Sequence, residues 1–201
     1  MVSVMLSVGL RAIEVADIKP EHFAIPKGFK GKTLTGIWIG PDHQCKTKYD
    51  INRQVSMPVW LMASINRCHQ SKRYKKRQQL YFMNTGDMNP PAFINKDGDS
   101  FTTQSLNTLW GKLRTAIQAN SNPHFKHKQH DCRATFGAYK LDSLAKIPEL
   151  SMLQALEMLK KEMGHKDLDT TMLYLKHHEG SPEKNLVPEI TMNLLEGEAL
   201  S

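Results

Sequence analysis

A tyrosine hydroxyl becomes a useful nucleophile only when other side chains activate it and hold what it attacks. Near its C-terminal end the 201-residue chain reads EMGHKDLDTTMLYLKHHEG (162–180), which places Tyr174 nine residues after His165 in a helix-like stretch. Three distant stretches carry residues able to join this pair: GLRAIEV with Arg11 and Glu14, CKTK with Lys46 and Lys48, and HDCRATF with His130 and Arg133. Arginine is a permanently charged fork suited to anionic oxygens, and a formal net charge of +7 fits a polyanionic partner. Singly, each stretch also has a plain reading. Arg11 and Glu14 suit a surface i,i+3 ion pair, the two lysines an ordinary loop, and His130 with Arg133 a polar helix face. Gly164-His165 suits a helix C-cap followed by an incidental histidine, and Tyr174, among Met172, Leu173 and Leu175, a half-buried core position.

The elements that must position these residues are mostly helical. Residues 4–17 read as one helix ending before Pro20. TLTGIWIG (33–40) and INRQVSMP (51–58) read as the two strands of a hairpin, because one is β-branched and apolar and the other alternates. The polar connection PDHQCKTKYD between them exposes Lys46 and Lys48. A helix over about 58–70 has Pro58 in its first turn. SKRYKKRQQ (71–79) follows as a dense basic run, in which Lys72, Arg73, Lys75, Lys76 and Arg77 are candidate DNA contacts or a solvated helix end or loop. QLYFMN (79–84) reads as a short strand and 85–100 as loop. Apolar residues at helical spacing, with capping residues at the ends, predict helices over 102–120, 129–144, 151–163 and 167–178. The fold class expected is therefore mixed, mainly α with a small antiparallel β-hairpin.

Taken together and in this order, the four stretches resemble the catalytic domain of the tyrosine recombinases, the phage integrase family. The match rests on G-L-R-x-x-E at Gly9–Glu14, a hairpin lysine, H-x-x-R at His130–Arg133, and G-H with a tyrosine nine residues beyond the histidine. It runs from about residue 8 to residue 176. Such a resemblance implies cleavage and rejoining of DNA strands without metal or other cofactor. Arg11 and Arg133 clamp the nonbridging oxygens of a phosphodiester, His165 donates a hydrogen bond to them, and Tyr174 attacks phosphorus to give a 3′-phosphotyrosyl intermediate. It further implies His130 as general base or orienting group, and a hairpin lysine as general acid for the departing 5′-hydroxyl. Lys46 opens a K-T pair of the kind often seen at that tip, with Lys48 as the alternative. Glu14 would orient Arg11.

The resemblance sets further expectations: residues 1–178 as the catalytic domain without the family's N-terminal clasp, and 179–201 as a tail, a helix exchanged between protomers or packed on its own domain. Double-stranded DNA is the implied partner, with assembly to a tetramer on paired sites and accessory DNA-bending proteins. A catalytically inactive DNA-binding remnant and a type IB topoisomerase-like enzyme are the competing functions. His124, His127 and His130 recur every three residues, yet Pro123 disturbs their helical phasing and no cysteine pair or carboxylate completes a site, so no metal is expected. Three unpaired-looking cysteines argue against a secreted disulfide framework and for a cytoplasmic, nucleoid-associated setting. The N-terminal apolar run lacks a basic leader region and is cut by Arg11 and Glu14; the chain reads as starting with part of a helix already under way.

Overall fold

Gly9 decides how the chain opens. A computed structural model describes residues 1–179, with side chains described through Tyr174; the tail expected to exchange between protomers lies outside these residues from Gly180 onward. Instead of one helix over 4–17 there are two, α1 (Val2–Val8) and α2 (Ala12–Asp17). Gly9 ends the first in the left-handed region at φ 68°, which glycine adopts without strain. Leu10 and Arg11 form the turn, and Arg11 becomes the N-cap of α2.

The hairpin forms as expected, with β1 (Thr33–Ile39) antiparallel to β2 (Arg53–Pro58) in a two-stranded sheet. α3 (Val59–Gln70) follows directly, with Pro58 at its N-cap. The next segment departs from expectation. The basic run and QLYFMN are one helix, α4 (Lys72–Thr85), and there is no strand at 79–84. Ser71 starts it by accepting a hydrogen bond from the Tyr74 backbone. Tyr74 and Tyr81, two turns apart, then bury one side of it against Ile94.

α5 (Thr103–Asn120), α6 (Gln129–Ala145), α7 (Met152–Met163) and α8 (Leu168–Glu179) complete the described chain. Two large apolar clusters hold it together, besides the small one of Tyr74, Tyr81 and Ile94. One joins α1, α2, the hairpin and α3 around Phe23, Ile39, Met57 and Met62. The other joins α6, α7 and α8 around Leu141, Leu159 and Met163. α6 packs against α1 as well as α7 and α8, and α7 also meets β2, so the candidate residues fall on the seam between the clusters. No helix among the described residues is long and apolar enough to cross a membrane. Cys45, Cys68 and Cys132 are free thiols.

Candidate active site

The last turn of α7 organises the site. Helix C-termini leave backbone carbonyls without intrahelical partners and carry partial negative charge. Here three successive carbonyls each accept from a different arginine. Arg53 Nε donates to Glu162 O at 2.9 Å, Arg133 donates to Met163 O, and Arg11 donates to Gly164 O at 2.9 Å. Arg133 also donates to Gly9 O, so the end of α1 and the end of α7 are tied through one side chain from α6. Gly164 suits its place for two reasons. It takes φ 60° as the helix C-cap, and a Cβ there would stand 2.8 Å from Arg53 Cδ.

One carboxylate balances these cations. Glu14, 0% exposed, accepts from Arg53 at 2.9 and 2.7 Å, from the Arg11 backbone at 2.7 Å and from the Arg11 guanidinium at 3.3 Å. Its pairing with Arg11 is therefore not the surface ion pair of the plain reading. Burial alone would raise the Glu14 pKa, but the hydrogen bonds and charge of Arg53, with help from Arg11 and Arg133, hold it below the ordinary carboxylate value. Three guanidiniums against this one carboxylate leave two positive charges to be met by helix-end carbonyls or by an anion. Arg133, 3% exposed, shows the crowding: burial and the neighbouring charges of Arg11 and Arg53 pull its pKa down to about 9, against a partial offset from Glu14, and it remains charged at neutral pH. Of a guanidinium's five N–H donors, Arg11 and Arg133 each use two on these partners and keep three.

His165 and Tyr174 lie beside this cluster. Their rings are parallel within 9°, with centroids 6.1 Å apart. His165 Nδ1 is 2.9 Å from Thr171 Oγ1. Burial first, then the charges of Arg133, Arg11, Arg53 and His130, lower the His165 pKa to about 4, so the imidazole is neutral at physiological pH. Tyr174, 9% exposed, packs on α6 at Gly137, where a Cβ would come within 2.7 Å of its Cζ. Burial raises its pKa, while Arg133 and Arg11 act in the opposite direction.

The structure thus brings Arg11, Glu14, Arg133, His165 and Tyr174 together. His130 stands exposed at the start of α6, one turn from Arg133 and within electrostatic reach of His165. Lys46 and Lys48 are exposed in the hairpin connection. The Lys46 backbone N–H donates to Asp17 at 2.6 Å, and the Lys48 ammonium lies 4.7 Å from the centre of the Tyr49 ring. In the basic run Lys72, Arg73, Lys75 and Lys76 are exposed on α4, whereas Arg77 is partly buried and donates to Ile94 O at 2.9 Å. His127 meets Asp131 at 3.3 Å, and among the described residues no group of three His, Cys, Asp or Glu side chains is placed to hold a metal ion.

Three residues of the site escaped the sequence reading. Arg53 is the largest omission, although strand alternation places it on the same face as buried Val55 and Met57, and an inward-facing arginine demands a partner. Thr171 shares a helix face with Tyr174 at i,i+3 spacing. Gly137 leaves no signature that distinguishes it from any other helical glycine.

No protein-family model matches the chain, and no curated protein sequence does. Solved structures do. The XerH site-specific recombinase, bound to palindromic difH substrate in a post-cleavage complex, superposes with TM-score 0.58 at 18% identity over 94% of this chain and 43% of its own. The Tn1549 transposon integrase in complex with a circular intermediate DNA gives TM-score 0.55 at 17% identity, covering 86% of this chain and 52% of its own. The fold is that of the tyrosine recombinases. A third structure, the XerA recombinase, matches 99% of this chain and 57% of its own at TM-score 0.52 and 14% identity. The chain therefore spans about half the length of the recombinases it matches. Within the tyrosine-recombinase fold, the mainly helical architecture and two-stranded antiparallel hairpin are as the sequence predicts.

Proposed function

We propose that this chain is the catalytic domain of a site-specific DNA recombinase, acting in integration or excision of a mobile element through a 3′-phosphotyrosyl intermediate. The observation that carries the reading is the convergence of Arg11, Arg133, His165 and Tyr174 around the end of α7, with excess positive charge beside a tyrosine of the same chain. A phosphodiester is an anion, and its pentacovalent transition state gathers further charge on the nonbridging oxygens. Preorganised guanidiniums stabilise that charge most effectively where water is excluded.

In this scheme the Tyr174 hydroxyl oxygen forms a bond to phosphorus as the bond to the 5′-oxygen breaks. The phenolic proton leaves to His130, and the 5′-oxygen takes a proton from Lys46, or from Lys48 as the alternative. The remaining N–H groups of Arg11 and Arg133 hold the nonbridging oxygens, with His165 adding a hydrogen bond. The phosphotyrosyl ester retains the bond energy, so a free 5′-hydroxyl can reverse the step on the same or another strand. Because the raised pKa of Tyr174 keeps it protonated at neutral pH, a base near the hydroxyl is required. Lys72, Arg73, Lys75 and Lys76 would contribute phosphate contacts, and Arg77 is proposed only as a support for the loop at Ile94. Assembly on paired duplex sites as a tetramer, accessory DNA-bending proteins and association with a bacterial nucleoid follow as parts of the same proposal.

The test is covalent trapping. The protein is incubated with labelled, nicked duplexes tiled across the ends of the element that encodes it, and adducts that survive denaturation in SDS are compared with Tyr174→Phe. A band that requires Tyr174 is expected. DNA that is bound but never captured covalently would favour a non-catalytic DNA-binding module instead.

A further inference from the structure

Four helical threonines of this chain share a habit. Thr85, Thr108, Thr115 and Thr135 each turn the hydroxyl back to the carbonyl four residues earlier, at 2.7 to 3.1 Å, the usual refuge for a threonine inside a helix. Thr171 breaks the habit. It is 0% exposed in the first turns of α8, and its described partner is the His165 ring, with Oγ1 2.9 Å from Nδ1. Tyr174 lies one turn further along the same helix and stacks beside that ring.

We infer that Thr171 is a positioning residue that fixes the orientation and tautomer of His165, donating its hydroxyl proton to Nδ1 so that Nε2 carries the proton offered to a phosphate oxygen. The inference rests on the reading of the site as one for a phosphodiester. A neutral imidazole has one donor nitrogen and one acceptor, and the bond made by one nitrogen selects the role of the other. With the proton on Nδ1, the lone pair of Nε2 would face an anion and repel it. With the proton on Nε2, that edge donates to the anion, and the lone pair left on Nδ1 needs a donor. Among the described residues no guanidinium hydrogen-bonds the ring: the three nearby are held by Glu14 and by the backbone at Gly9, Glu162, Met163 and Gly164, and the N–H groups that Arg11 and Arg133 keep are those assigned to the phosphate oxygens. Thr171 is the hydroxyl in contact with Nδ1. Because Thr171 and Tyr174 share α8, the same hydrogen bond makes His165 follow the helix that carries the tyrosine, so the two groups meet a phosphate in a constant relation.

The experiment is carried out on the full chain, uniformly labelled with ¹⁵N-histidine. Long-range proton–nitrogen correlation spectra, with His165 assigned by loss of its signals in His165→Gln, report which nitrogen is protonated. Spectra are taken with and without orthovanadate, a pentavalent mimic of the phosphoryl transition state. The expected result with vanadate is the Nε2–H tautomer in wild type and in Thr171→Ser, with mixed or averaged signals in Thr171→Val. A single-turnover cleavage assay on a nicked duplex should show Thr171→Val slowed at least about tenfold with unchanged DNA affinity, and Thr171→Ser close to wild type. An Nδ1–H tautomer in the vanadate-bound wild type overturns the inference without recourse to any variant. Equal tautomer and equal cleavage in Thr171→Val overturn it as well. If wild type captures no DNA while the tautomer still depends on Thr171, the recombinase reading fails and the positioning of His165 by Thr171 stands.

Discussion

Arg53 grips Glu14 with both terminal nitrogens, at 2.9 and 2.7 Å, and neither side chain is more than 4% exposed. This fork-to-carboxylate pair joins β2 to α2 beneath the candidate active site. Glu14 also braces Arg11 from its backbone and its guanidinium, so one carboxylate sets the position of two arginines.

Removing that carboxylate leaves Arg53 charged and buried. Breaking a buried ion pair from one side costs about 3–5 kcal/mol, chiefly because the surviving charge has no partner. Glu14→Gln is expected to lower stability to urea by an amount in that range. Arg53→Met with Glu14→Leu, which removes both charges of the buried pair and leaves only the less buried Arg11 without its carboxylate, should be less damaging than Glu14→Leu alone. Equilibrium unfolding of the three variants checks this, and a Glu14→Gln chain as stable as wild type would show that the pair contributes little.

The residues that the resemblance singles out are more legible in the sequence than the residues that support them. His130 and Arg133 are three apart on a helix, and His165 and Tyr174 flank the start of another, so local spacing carried the information. Arg53 sits in a short alternating strand, and its partner Glu14 is 39 positions away; only pairing across the fold reveals why an arginine faces inward. QLYFMN reads as a strand in the sequence because its aromatic and apolar residues are clustered. Yet the Ser71 cap and the Tyr74–Tyr81 spacing commit it to α4, and among the described residues no neighbouring strand offers it hydrogen bonds. The break between α1 and α2 turned on a single residue, Gly9, whose apolar neighbours on both sides suit a continuous helix.

Gly137 sets how closely Tyr174 approaches α6. A Cβ there would lie 2.7 and 2.8 Å from two ring carbons and 3.1 Å from Met163 Sδ. Gly137→Ala gains about 1 kcal/mol of helix propensity, against about 1–3 kcal/mol for overpacking, so the fold should survive with a small change in Tm. The tyrosine cannot keep its place. A displacement of about 1 Å in a reacting group costs on the order of 100-fold in rate, and adduct formation on a nicked duplex should fall by about that factor. Near-normal adduct formation would mean that the tyrosine reaches its phosphate from a different position.

Lys46 and Lys48 can be separated by the leaving group. Replacing the 5′-bridging oxygen of the scissile phosphate with sulfur gives a thiolate, which departs without needing a proton. Loss of a general acid costs about 10²–10⁴ in rate, so Lys46→Ala should slow cleavage of ordinary DNA by at least about 100-fold and recover on the sulfur-substituted strand. Lys48→Ala, which removes a cation resting on the Tyr49 ring, should slow both substrates alike and by less than about tenfold. The reverse pattern would assign the proton transfer to Lys48.

Acid should loosen the site before it unfolds the rest. His165 titrates at about 4 in the folded chain and near its ordinary value of about 6.5 when unfolded. Between those values the unfolded chain binds a proton that the folded chain refuses, so stability is full above the upper value and falls as pH drops through the window. His22 and His69, whose pKa values are lowered by burial, act in the same direction. Glu14, held below its ordinary value, extends the loss further into acid, because its ionised form is the one the fold stabilises. Urea unfolding at closely spaced pH values from 7.5 to 4.5 should show declining stability, and His165→Gln should make that decline shallower without removing it. An identical slope in His165→Gln would place the acid sensitivity in this range on His22 and His69 and would mean that protonating His165 beside three arginines costs the folded chain little.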